Sequence, residues 1–341
     1  MSTTFLAGAS VLVTGAGGFI GSHICERLLT LGVTVRALVR DPARAAWLAA
    51  QGIQLIPGDL GDVEVLHAAA AGCRAVIHTA AWTGTPDIPA MGETVNVAGT
   101  EAVLTAATAA GVGRVIVFSS VAVYGVNDAP VIDETAATPL IGQAYPDSKI
   151  RVEAVVRRFA SQGLDTVVLR PASTYGPRGT AWTLNPLEQL RRGRLRLLDG
   201  GRGLVNPGYI DNVVDGTLLA LAQPQAAGQT YNLCDGVTVT FREFYGYYAR
   251  MLGKQRIPSV PGWVGQLAVS PAGRWLRRAA GRPDAGRWSL HYLRNQSRFS
   301  IDKLQRELGY RPTIAVDEGM KRTQAWLSAQ GYLMTRATEG K

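Results

Sequence analysis

Cysteine, lysine and uninterrupted apolar sequence are all scarce in this chain of 341 residues. The three cysteines, Cys25, Cys73 and Cys234, are odd in number and far apart, which excludes a disulfide framework and a zinc cluster and leaves them as small buried hydrophobes. No metal is expected. The first apolar stretch is broken by Gly8, Gly15, Gly17 and Gly18 and has no basic region ahead of it, so it resembles neither a signal peptide nor a spanning helix. We therefore expect a cytoplasmic protein without an integral membrane segment. Acidic residues are outnumbered 26 to 35 by Lys and Arg, a formal net charge of +9. The arginines are scattered, with local clusters at Arg191, Arg192, Arg194 and Arg196 and at Arg274, Arg277 and Arg278, which suits a surface that draws in anionic ligands and not a nucleic-acid stripe. With 47% hydrophobic and 18% charged residues the chain can bury a full core, as one large domain or two coupled ones.

What is present begins at Val11 with VLVTGAGGFIG. A short β-branched run meets Gly15, Gly18 and Gly21, and beyond Ser22 the pattern turns helical with Ile24, Leu28 and Leu29 on one face. This reads as strand, tight turn and helix start. The first glycine permits the turn, the second lets a phosphate approach the backbone, and the third lets helix and strand pack closely. Together with Phe19 and Ile20 they place free N–H groups and the positive end of a helix dipole against a pyrophosphate.

Further strands are expected at Thr34 to Val39, Gln54 to Ile56, Ala75 to His78, Arg114 to Ser119 and Thr166 to Leu169. Helices are expected at about Val63 to Ala71, Asn96 to Ala110 and Tyr145 to Gln162, with Asp41 and Pro42 opening one after the second strand and Asn96 placed to cap its own. Alternation at this spacing calls for a parallel sheet covered by helices on both sides. Beyond Pro171 glycine and proline become frequent and the elements short, apart from a capping box at Thr240 and Glu243 and a helix that Ser300 can cap through Leu308. That part is read as a smaller lobe covering the substrate.

Tyr145 and Lys149 stand four residues apart on a helix and so share a face. A phenol titrates near ~10, too high for acid–base work at neutral pH, and a neighbouring ammonium is expected to lower it. Lys149 is the only lysine before Lys254 in a chain that otherwise uses arginine, which marks it for a role that a compact ammonium fills and a guanidinium does not. Ser119 and Ser120 close the fifth strand, where ligands gather in an open α/β sheet and a hydroxyl can support a developing oxyanion.

These motifs resemble the extended short-chain dehydrogenase/reductases, the superfamily of sugar epimerases, dihydroflavonol reductases and 3β-hydroxysteroid dehydrogenases. The matching segments are TGAGGFIG at Thr14 to Gly21, GDL at Gly58 to Leu60, HTAA at His78 to Ala81, NVAGT at Asn96 to Thr100, SSVAVYG at Ser119 to Gly125, YPDSK at Tyr145 to Lys149, LRPASTYGP at Leu169 to Pro177 and RFSIDKLQRELGYRP at Arg298 to Pro312. The resemblance implies a Rossmann-type doubly wound parallel sheet over residues 1–175 and a C-terminal α/β substrate lobe over 176–341, with some return of the chain to the sheet. It makes Tyr145 the acid–base, Lys149 the residue that orients ribose and Tyr145, and Ser120 the holder of the substrate oxygen. It places Asp59 and Leu60 at the adenine, and Ala80, Ala81, Asn96, Ser119 and Pro171 along the cofactor.

At the end of the second strand stand Val39 and Arg40 where an acid would bind the ribose of NAD, and Arg44 can reinforce Arg40. NADP is therefore favoured over NAD. Ser173 replaces the asparagine of the sugar-nucleotide members, and NPGYIDNVVDG from Asn206 is closer to the hydroxysteroid-dehydrogenase-like wording, which points away from a pyrophosphate-bearing sugar. Arg178, Trp182 and Tyr209 join Ser120 and Ser173 as candidate substrate residues. The stretch Trp263 to Arg278, apolar and basic, either covers a lipophilic substrate, touches a membrane surface or simply packs on the core. The expected activity is hydride transfer between nicotinamide and a secondary alcohol or ketone, and the resemblance implies a homodimer paired through the helices at Asn96 and Tyr145. The alternatives are a nucleotide-sugar epimerase or dehydratase that retains NAD, and a cofactor-sensing regulator without catalysis.

Overall fold

The computed structural model describes residues 8–84, 88–273, 275 and 287–334. Seven strands form one parallel sheet: β1 (Ser10–Thr14), β2 (Thr34–Val39), β3 (Gln54–Pro57), β4 (Ala75–His78), β5 (Arg114–Phe118), β6 (Thr166–Pro171) and β7 (Thr230–Leu233), in the spatial order β7-β6-β5-β4-β1-β2-β3. All six pairings are parallel, so every strand ends at the same edge of the sheet. Register brings Thr14 level with Leu38 and His78, and Phe118 level with Leu169. The chain order reverses between β1 and β4, which is where a crevice opens in a doubly wound sheet.

Alternate residues of each strand enter separate cores. Val11 and Val13 of β1 pack with helices α1 (Phe19–Thr30) and, further along, α5 (Ile210–Ala222), through Ile24, Leu28, Val213 and Leu218. Leu12 faces the opposite layer of α2 (Val63–Ala70), α3 (Gly99–Ala109) and α4 (Ala144–Ser161), through Leu66, Val103, Leu104 and Val152. Each such side chain contributes about 1.5–3 kcal/mol by leaving water. Cys25, Cys73 and Cys234 are buried and free. Among the described residues no helix is long and apolar enough to cross a membrane.

The core on the α1 side runs on beyond residue 176, where Leu187, Leu190, Phe241 and Phe244 belong to it. There the strands shrink to two or three residues: Ser173–Tyr175 beside Pro207–Tyr209, Leu204–Val205 against Val239–Thr240, and Leu197–Leu198 beside Ser259–Val260. The helices that matter here are α6 (Phe241–Met251), opened by the expected Thr240–Glu243 capping box, α7 (Gly262–Val269) and α8 (Arg287–Arg294).

Three local readings change. The helix expected to begin at Asn96 begins earlier, because wide turns over Gly92–Ala98 run without a break into α3; Asn96 lies inside them and caps nothing. Asp41 does accept from the N–H groups of Ala43 and Arg44, but the helix that follows is only Ala46–Ala49. Ser300 accepts from Asp302 N at 3.1 Å, one position ahead of the residue that caps the helix Asp302–Leu308. Of the stretch Trp263 to Arg278, residues 274 and 276–278 lie outside the described residues.

Candidate active site

The site is assembled at the common carboxyl edge of the strands. Gly15, directly after β1, has φ +72, and a Cβ there would stand 2.5 Å from the backbone nitrogen of Ala80. Only glycine meets both demands. At Gly21 a Cβ would come 2.4 Å from the Gly15 carbonyl oxygen, so the first turn of α1 presses directly on the turn below it. Gly18 is the N-cap of α1 in extended backbone with no capping side chain, and around Gly17 a Cβ would meet nothing within 4 Å. An uncapped helix start facing open space is what a pyrophosphate needs, so the turn fits a dinucleotide.

Arg40 follows β2, exposed and without a carboxylate partner among the described residues. Arg44 is exposed and 3.3 Å from Asp41. Asp59 is exposed, but its carboxylate accepts from the N–H of Leu60 at 2.7 Å, and Leu60 is itself buried against Gly99. Ala80 and Ala81 are half-buried beside the glycine turn, and Pro171 ends β6 level with Leu233.

Tyr145 sits in the first turn of α4, whose start is fixed by Asp147 accepting from the N–H groups of Ile141 and Gly142 at 2.8 and 2.9 Å. Ser120 lies beside the phenol: its oxygen accepts from Ala122 N at 3.1 Å, which leaves its own proton free to donate. Lys149 is buried, and its Nζ donates to the Phe118 carbonyl at 2.8 Å. The expectation that Lys149 lowers the phenol is not met. Burial pushes Tyr145 above its ordinary value, against a smaller lowering by its hydrogen bond with Ser120, and the Lys149 ammonium is engaged at the end of β5. Lys149 in turn is brought down to about 8 by burial, opposed by the charge of Glu153.

Asn96 is placed differently from the cofactor contact assigned to it. Its Oδ1 accepts from Trp82 N at 2.7 Å, and its Nδ2 donates to Trp82 O at 3.0 Å and Ser148 Oγ at 2.8 Å. Those bonds brace the segment after Ala81 against α4, one turn from Tyr145. The fit is close, since a Cβ on Gly84 would stand 2.9 Å from the Cβ of Tyr145.

Ser119 also turns away from the edge, donating to Glu153 Oε1 at 2.6 Å inside the protein. Glu153 receives Arg170 at 2.8 and 2.6 Å, Arg170 reaches the Tyr124 hydroxyl at 2.9 Å, and that hydroxyl donates to Asn232 at 2.6 Å. Sequence reasoning missed this buried network. Its one signal was the spacing of Glu153, four residues beyond Lys149 on the same face. His78 was missed too: it bridges Thr14 at 2.6 Å and Thr100 at 3.1 Å, and burial, with the charge of Lys149, holds it neutral down to about 3.

The candidate substrate residues separate. Ser173 is buried, its hydroxyl 2.9 Å from that of Tyr292, and Trp182 packs with the rings of Phe241, Phe244 and Tyr292. Arg178 is corrected: its guanidinium is paired with Glu26 of α1 at 2.8 and 2.7 Å and lies over the Trp47 ring, so its charge is spent there. Tyr209 is corrected as well, because it is a buried core residue packed on Tyr175 and Gly319.

Comparison with known proteins places this geometry. The profile of the NAD dependent epimerase/dehydratase family matches residues 11–234. The chain belongs to that family. Within it, the chain is similar to the 4-hydroxy-2-methyl-3-oxo-4-farnesyl-3,4-dihydroquinoline-1-oxide ketoreductase of Stigmatella aurantiaca, 33% identical over 95% of this chain and 99% of that one. It is also similar to the 2-alkyl-3-oxoalkanoate reductase of Stenotrophomonas maltophilia, 30% identical over 92% and 98%. Among solved structures, that of DesIV, a dTDP-glucose 4,6-dehydratase from Streptomyces venezuelae with NAD bound, superimposes with a TM-score of 0.76 at 27% identity over 95% of this chain and 98% of that one. A family member with these relatives and this Rossmann-type sheet is an oxidoreductase of the extended short-chain dehydrogenase/reductase type.

Proposed function

We propose that the enzyme catalyses reversible hydride transfer between a nicotinamide dinucleotide, NADP in preference to NAD, and a secondary alcohol or ketone on an apolar skeleton. The observation that carries this reading is the half-buried Tyr145 with Ser120 beside it, at the strand edge that also holds the glycine turn. Gly15, Gly18 and Gly21 with Phe19 and Ile20 would hold the pyrophosphate, Arg40 with Arg44 the ribose phosphate, and Leu60, Ala80 and Ala81 the adenine side. Bound nicotinamide supplies the hydride in reduction and accepts it in oxidation.

The chain's own work concerns the proton. The Tyr145 hydroxyl gives its proton to the substrate oxygen as the carbonyl is reduced, and takes it back in the reverse direction. Ser120 donates a hydrogen bond to the same oxygen. Arg178 spent on Glu26, and aromatic rings around Trp182, leave the candidate substrate side without that cation for a sugar pyrophosphate and favour an apolar ketone. The names of two relatives, a ketoreductase and an oxoalkanoate reductase, agree. On the family resemblance a homodimer through α3 and α4 goes with this proposal, and a cytoplasmic setting is proposed with it.

The second reading, an epimerase or dehydratase that retains NAD, is favoured by the likeness to DesIV with NAD bound. Denaturing the purified protein and identifying released nucleotide separates the two. Release of stoichiometric NAD would overturn the reductase. A protein that binds added NADPH more tightly than NADH, and loses about 10–100-fold of NADPH affinity alone in Arg40→Ala, supports it; that range is the strength of a hydrogen-bonded charge pair.

A further inference from the structure

We propose that the outer face of the C-terminal lobe, formed by α7 and the cationic groove beside it, docks on an anionic lipid bilayer. Large apolar side chains stand in solvent here: Trp263 is 65% exposed, Leu267 58% and Trp275 68%. Trp263 and Leu267 are one helical turn apart and so share a face of α7. An exposed apolar cluster is a contact surface in search of a partner.

Charge identifies the partner. Next to α7 lies a groove of about 930 Å³ lined by Leu197, Arg242, Arg250, Lys254, Arg256 and Ile257. None of its four cations has a carboxylate within ion-pair distance among the described residues. The sequence from Phe244 to Pro283 holds seven Lys and Arg and not one Asp or Glu. Groove and helix are continuous, since the strand Ser259–Val260 that leads into α7 pairs with Leu197–Leu198 of the groove wall. Indole rings at headgroup depth beside cations at the phosphates is the arrangement of an interfacial protein surface.

The same face is one helix away from the candidate substrate side. Gly265 of α7 packs so closely on α8 that a Cβ would lie 2.7 Å from Leu290, and α8 carries Tyr292, whose hydroxyl is 2.9 Å from Ser173. An apolar ketone dissolved in the bilayer would thus meet the enzyme at the lobe that covers its site. That consequence rests on the proposed substrate class, whereas docking does not.

Flotation of the full chain with vesicles of phosphatidylcholine alone, or mixed with phosphatidylglycerol, tests docking without any substrate. We expect flotation with the mixed vesicles, about tenfold less with the neutral ones, and a decrease as salt is raised. Trp263→Ser with Leu267→Ser should abolish it, and Lys254→Gln with Arg256→Gln should remove its salt dependence, while thermal midpoint and cofactor titration stay unchanged in both. Absence of flotation with either vesicle overturns the proposal. So does equal flotation of the folded Trp263/Leu267 variant. A drop in oligomeric mass in that variant, without vesicle binding in the parent, overturns it in favour of a protein interface.

Discussion

Around Gly15 the chain is positioned by its own backbone, whereas around Trp182 it is positioned by rings. In the first region a left-handed glycine and a helix start follow the end of β1 within a few residues, and β4 ends level with it. In the second, Trp182, Phe241, Phe244 and Tyr292 come from segments separated by more than a hundred residues, and strands of two or three residues do little to hold them. The difference teaches where evolution can change substrate without changing chemistry. On the proposed function, hydride transfer would be tied to backbone that tolerates no added Cβ at Gly15 and Gly21, and specificity to side chains that can be exchanged one at a time.

Substitutions at the two regions should therefore fail in different ways. Tyr145→Phe keeps the ring and removes the proton, so kcat should fall about 10²–10⁴-fold while cofactor affinity, read by nucleotide fluorescence, stays within about twofold. Glu153→Gln leaves Arg170 buried beside half a partner, and should cost about 3–5 kcal/mol in urea unfolding. It also removes the anion that supports the Lys149 proton, so the alkaline limb of kcat should move to lower pH; an unmoved limb would confine Glu153 to stability.

Trp182→Leu lies on the other side of the comparison. It should raise KM for the ketone about tenfold, with kcat and cofactor binding nearly unchanged. An equal loss in kcat would merge the two regions into one. The last effect concerns acid and is spread over several pH units. Folded His78 takes its proton near 3 and the unfolded chain near 6.5, so the unfolded state binds more protons between those values and stability falls as pH falls through that window. His78→Gln should flatten the slope, by at most about 1.4 kcal/mol per pH unit, in unfolding curves taken at several pH values.

Most of the sheet was legible because each strand is a short apolar run with its turn chemistry attached, and every one of β1 to β6 falls on a predicted run. That Tyr145 and Lys149 stand on one helix was legible from spacing alone. What was not legible depends on where side chains turn. Arg178 stands in a motif-rich segment, and nothing near it in sequence announces Glu26, 152 residues earlier. Asn96 has the residue type of a helix cap, and only the wide turns before α3 show that it braces Trp82. The phenol was expected to be lowered by its neighbour because residues four apart on a helix meet, and the competing carbonyl of Phe118 is invisible to that rule.

The last strand of the sheet has a consequence for how the protein is made. Thr230–Leu233 pairs with Thr166–Pro171 only after some sixty intervening residues have passed. A nascent chain emerging from the ribosome therefore carries β6 as an unpaired edge until the segment ending at Leu233 is free. Truncations that stop near residue 175 reproduce that intermediate permanently, with Val168 and Leu169 at the bare margin. Such fragments should come out of expression in the insoluble fraction, and those extended through Leu233 should be the shortest that recover a closed sheet.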